Sequence, residues 1–91
     1  MSYVVRLERQ AERDLRRLPP PVLRAVDAKL TALAKNPHPP GTLKLHGREA
    51  EGWRVRVGEY RILFTVDNDA KVVSVYRIRP RGSAYRQGGV M

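Results

Sequence analysis

The sequence predicts an α+β fold in the order β-α-α-β-β-β, a mainly antiparallel sheet with a helical hairpin packed on one face. Three observations carry that prediction. Residues Trp53 to Phe64 alternate with period two, interrupted once at Gly58-Glu59. Two stretches with apolar residues at helical spacing flank Pro19-Pro20-Pro21. A β-branched run from Val72 to Arg79 follows the turn-forming cluster Asp67-Asn68-Asp69-Ala70. With 91 residues the chain is read as one domain, 1–91, with a core of modest size.

Tyr3 to Leu7 is short, apolar and β-branched, and reads as a first strand. Glu8 to Leu18 places Ala11, Leu15 and Leu18 on one helical stripe, with charged residues elsewhere and Glu12–Arg16 as an i,i+4 pair. The three prolines end this helix, and proline also suits the first turn of the next. Val22, Val26, Leu30 and Leu33 form the second stripe, which stops near Asn36-Pro37. Pro37 to Gly41 is a loop, and Leu43 and Leu45 alternate with Lys44 and His46 as a short edge strand.

The central hairpin is specified more closely. A two-residue loop with Gly58 first suits a type II′ turn, and pairing Val57 with Tyr60 puts Arg56 opposite Arg61 and Val55 opposite Ile62. Trp53, Val55, Val57, Tyr60, Ile62 and Phe64 then share the core face, and Arg54, Arg56 and Arg61 the other. Alternation in the last strand assigns Val72, Tyr76 and Ile78 to the core, with Ser74 an awkward fourth. It puts Arg77 and Arg79 with the arginines, and Arg81 too if the strand runs on past Pro80.

Like charges opposite one another destabilise a sheet. An uncovered arginine face is therefore poorly explained by stability and well explained by an anionic ligand, because the planar guanidinium fork matches phosphate. Lys plus Arg is 18 against 9 Asp plus Glu, a net charge of +9, which points to nucleic acid, an acidic protein or an anionic surface. No apolar run is long enough to span a membrane. The absence of cysteine excludes disulfides and thiolate metal sites. His38 and His46 lack ligand spacing, so no metal site and no cofactor is expected.

The run Ala11…Asp14-Leu15…Leu18, then Asn36-Pro37, Lys44-Leu45…Gly47, the hairpin with its Arg54-x-x-x-Gly58-x-Tyr60-Arg61 core, and Arg79-Pro80-Arg81…Tyr85 resembles the RelE/ParE superfamily of type II toxins. The resemblance covers Tyr3 to Tyr85. Its RelE-like branch implies a ribosome-dependent endoribonuclease that cleaves mRNA by attack of a ribose 2′-hydroxyl on the adjacent phosphate. It implies Arg56, Arg61, Arg79, Arg81 and Tyr85 as catalytic residues, with Arg79 and Arg81 competing for one role. Arg54, Arg77, Lys44 and His46 would bind RNA. The implied partners are a cognate antitoxin with an acidic segment, the ribosome and mRNA, in the cytoplasm. A ParE-like inhibitor of DNA gyrase, or an inactive relative that binds RNA or antitoxin, are the alternatives. Pro80 stands where many relatives have histidine. Arginine's pKa above about 12 makes it a poor general base, leaving proton abstraction to Tyr85, a histidine or the ribosome.

Overall fold

The computed structural model describes residues 2–45 and 52–80. The elements are β1 (Val4–Leu7), α1 (Arg9–Arg16), α2 (Pro20–Lys35), β2 (Leu43–Lys44), β3 (Trp53–Val57), β4 (Tyr60–Asp67) and β5 (Val72–Pro80). They build one five-stranded sheet in the order β1-β5-β4-β3-β2. All neighbours are antiparallel except β1 and β5, which run parallel. A parallel pair needs a crossover, and everything between β1 and β5 supplies it. The expected architecture is therefore found, with the short β2 added at one edge.

The helices form where the apolar stripes predicted them. Proline sits in the first turn of α2, where its missing N–H leaves no orphan. The residue before a proline disfavours helical geometry, and Asn36, preceding Pro37, is extended at φ −146°. Ala11, Val26, Leu30 and Leu33 bury against Val55, Val57, Ile62, Phe64, Val73, Val75 and Ile78 of the sheet. The helices thus cover one face.

The β3–β4 hairpin has the expected register: Trp53↔Phe64, Arg54↔Leu63, Val55↔Ile62, Arg56↔Arg61 and Val57↔Tyr60. Gly58 takes φ +58°, while Glu59 stays out of the positive-φ region, as a type II′ turn requires. Gly52 enters β3 at φ +87°, and a Cβ there would overlap the backbone carbonyl oxygen of Phe64. Only glycine allows this approach of chain to strand.

The last strand departs from simple alternation. Leu63 pairs with Arg77 but Phe64 pairs with Val75, so Tyr76 is inserted as a β-bulge. The core residues of β5 are consequently Val73, Val75 and Ile78 rather than Val72, Tyr76 and Ile78. Ser74 is no longer awkward, because it pairs with Thr65 on the side away from the helices. Trp53 is half-buried at the rim of the core, with His38 edge-on at 4.6 Å between ring centroids.

Candidate functional site

The face of the sheet opposite the helices is where the arginines gather. Register places Arg56 of β3 beside Arg61 of β4, and Arg61 beside Arg79 of β5. Three guanidinium-bearing residues therefore lie in one row across three adjacent strands. The Arg56–Arg61 pair comes directly after the loop-closing pair of a two-residue hairpin. It is thus a non-hydrogen-bonded pair, the type in which Cα atoms approach to about 4.5 Å and side chains lie closest. Arg54 stands two residues along β3 on the same face.

The hairpin arginines line a cleft of about 520 Å³ together with Gly41 and Leu43. Leu43 pairs with Arg54, so β2 continues the lining beside β3. Arg56 is exposed, and Arg54, Arg61 and Arg79 are half-buried. Among the described residues, no acidic side chain lines the cleft. Leu63, between Arg54 and Arg77 in register, is 8% exposed although it lies on the side away from the helices. An anion entering the cleft meets the side chains of Arg54, Arg56 and Arg61.

The remaining expected residues are placed differently. Arg77 does not simply join the row: its Nε donates to Asp14 Oδ2 of α1 at 2.9 Å. Lys44 pairs with Trp53, not with Arg54, and its Nζ lies 5.4 Å from the Trp53 ring centroid. That puts Lys44 on the helix-side face of the sheet, away from the cleft. His46, Arg81 and Tyr85 lie outside the described residues. Among the described residues no cluster of His, Asp or Glu could hold a metal ion, and no helix is long and apolar enough to cross a membrane.

Asp14 enters the family resemblance by its place in the sequence, but the sequence assigns it no role. It is 9% exposed and accepts hydrogen bonds from the Ile78 backbone N–H (2.9 Å), Arg77 Nε (2.9 Å) and Gln10 Nε2 (3.2 Å). Burial raises its pKa, but the Ile78 N–H, Arg77 and Gln10 together outweigh that effect and hold the carboxyl below its ordinary value. A signal existed in the sequence: Asp14 falls on the same helical stripe as Ala11, Leu15 and Leu18, where a carboxylate needs a partner.

The chain is similar to known proteins over most of its length. A family model described as the ParE toxin of a type II toxin–antitoxin system matches residues 5–85. The toxin RelG of Mycobacterium tuberculosis is 36% identical over 89 residues, covering 96% of this chain and 100% of the relative. Among solved structures, a chain of the toxin–antitoxin complex RelBE2 from M. tuberculosis superposes with a TM-score of 0.79 at 32% identity, over 89% of this chain and 93% of that one. A chain of the archaeal RelE–RelB complex from Pyrococcus horikoshii gives 0.77 at 28% identity, over 90% and 98%.

Proposed function

The chain belongs to the RelE/ParE superfamily of type II toxin–antitoxin toxins, and from that premise we propose that it is a metal-independent endoribonuclease that cleaves ribosome-bound mRNA. The observation that carries this reading is the row Arg56–Arg61–Arg79 beside an open, cation-lined cleft. In the reaction, the 2′-oxygen of a ribose bonds to the adjacent phosphorus as the bond to the 5′-oxygen breaks. The products are a cyclic phosphate and a free 5′-hydroxyl. The 2′-hydroxyl proton goes to a base, and the leaving oxygen takes up a proton.

Charge accumulates on the non-bridging and leaving oxygens in the transition state. Arg56 and Arg61 are suited to hold the non-bridging oxygens, since they stand side by side on adjacent strands. Arg79 lies one strand further along the row, where it stabilises the charge on the 5′-oxygen, a role for which Arg81 also competes. A preorganised donor of this kind is typically worth about 3 kcal/mol of barrier, and these sit on paired strands rather than on loops. Arg54 extends the cationic track along β3. Arginine does not accept the 2′ proton at neutral pH, so that role falls to Tyr85, a histidine or the ribosome.

Two solved neighbours are toxin–antitoxin complexes. For this chain, a net charge of +9 selects a cognate antitoxin with an acidic segment that covers or distorts the arginine face. Action on translating ribosomes would place the toxin in the cytoplasm.

The test is primer extension on mRNA incubated with ribosomes and the purified toxin. Cleavage should require ribosomes, persist in chelator, and fall about 10²-fold or more in Arg61→Lys, which keeps the charge but loses the fork. Tyr85→Phe should lower the rate by about 10²–10⁴-fold if its hydroxyl serves acid–base chemistry, and leave it unchanged if the ring only stacks. Inhibition of DNA gyrase with intact message would overturn the nuclease reading. Arg56→Lys, Arg61→Lys and Tyr85→Phe all cleaving at the wild-type rate would overturn the assignment of the site.

A further inference from the structure

The end of β5 that carries Arg79 is held in an unusual way. β1 covers one edge of β5 only from Val72 to Val75, where Leu7 makes the last pair and the Glu8 N–H bonds the Val75 carbonyl. The chain then turns into α1. Among the described residues, the stretch of β5 from Arg77 to Pro80 has β4 as its one strand neighbour, through Leu63 to Tyr60, and the bulge at Tyr76 separates this half from the well-paired one. The same half bears Arg79 directly opposite Arg61. A strand end paired on one side, behind a bulge and under like-charge repulsion, is expected to fray.

Asp14 meets that uncovered edge. Since Arg79 pairs with Arg61, the Ile78 N–H points away from β4, toward the space β1 has vacated, and Asp14 Oδ2 receives it. The same oxygen takes Arg77 Nε, and Gln10 Nε2 supports the other oxygen. α1 therefore offers a carboxylate where, among the described residues, this edge has no neighbour strand. It also brings a negative charge to the one segment of β5 that carries Arg77 and Arg79. Arg17 and Tyr60 border the same small hollow between α1 and the strand end.

We propose that Asp14 is a positioning residue: by clamping the Ile78 amide and the Arg77 guanidinium at the open edge of β5, it keeps Arg79 opposite Arg61 and so sets the spacing of the arginine row. The consequence for catalysis rests on the nuclease reading above; the clamp itself does not. The contacts of Asp14 are to Gln10, Arg77 and Ile78, so its effect passes through β5. A displacement of about 1 Å in a catalytic group is enough to cost about 10²-fold in rate.

Two variants separate positioning from bulk stability. Asp14→Ala removes the clamp, and Asp14→Asn keeps an acceptor for the Ile78 N–H while losing the charge. Backbone hydrogen exchange is measured on the purified toxin, with single-turnover cleavage of ribosome-bound message in parallel. In Asp14→Ala, the Ile78 and Arg79 amides should lose at least about tenfold more protection than Val73 and Val75 on the same strand. The cleavage step should slow by about 10²-fold while the toxin concentration giving half-maximal rate changes little. Asp14→Asn should fall between Asp14→Ala and wild type in both. Uniform loss of protection along β5 would make Asp14 a general stabiliser and overturn the proposal. Local loss with unchanged cleavage would overturn it too. If Asp14→Ala does not fold, Asp14→Asn decides by the same comparison. If the wild-type protein does not cleave message, the nuclease reading fails, and the exchange pattern alone upholds or refutes the clamp.

Discussion

Arg61 is the middle of the arginine row, and that position makes a quantitative prediction. It faces Arg56 across one strand pair and Arg79 across the other, whereas Arg56 has only Arg61 directly opposite within the row. A like-charge cross-strand pair costs roughly 0.2–1 kcal/mol. Arg61→Gln, which keeps much of the aliphatic stem, should therefore relieve two pairs and stabilise the fold by roughly 0.4–2 kcal/mol. Arg56→Gln relieves one and should gain about half as much. For a domain of this size each kcal/mol moves the melting temperature by about 4–8 °C. Thermal unfolding followed by circular dichroism at low salt should show both variants melting above wild type, Arg61→Gln higher than Arg56→Gln. In about 1 M salt, where the screening length falls to about 3 Å, the gains should shrink. Cleavage of ribosome-bound message should fall in the same two variants by about 10²–10³-fold. If Arg61→Gln melts at or below the wild-type temperature in low salt, the row carries no electrostatic frustration. Its arginines are then an ordinary solvated face.

Three further outcomes follow from individual residues. Trp53→Ala should cost about 3 kcal/mol in urea unfolding, the low end for a buried aromatic because Trp53 is half-buried and leans on His38; a loss under about 1 kcal/mol would show that this rim is not packed. Gly52→Ala should destabilise by about 2 kcal/mol or more, through its positive φ and the overlap with the Phe64 carbonyl, read from the same urea midpoints. Asp14 has a folded-state pKa below its unfolded value of about 3.9, so its contribution is complete above that pH and is lost as pH falls through the folded value. Unfolding free energies at pH 7 and pH 3 should therefore differ less in Asp14→Asn than in wild type, and an equal difference in both would refute the assignment.

Local chemistry made much of this molecule legible before any coordinates. Two-residue turns tie register to loop length, so Gly58-Glu59 and the alternation around it were enough to put Arg56 opposite Arg61 and to separate the arginine face from the core. The prolines marked the joint between the helices because a missing N–H is tolerated only at a first turn. The charge balance and the uncovered arginines pointed to an anionic ligand by electrostatics alone.

What the sequence could not decide were features set by a partner strand or helix. The bulge at Tyr76 arises from how β5 meets Leu63 and Phe64, and it moves the core from Val72 and Tyr76 to Val73 and Val75. Alternation within one strand cannot register an inserted residue, because period two is blind to a shift imposed by its neighbour. Lys44 turned to the Trp53 side for a similar reason: a two-residue edge strand takes its facing from the pair it joins. Asp14 was visible as a carboxylate on an apolar stripe, but two of its three partners, Arg77 and Ile78, are more than sixty residues away. Only the packing of α1 against the edge that β1 leaves bare brings that carboxylate to a strand N–H and an arginine, and burial then makes both contacts necessary.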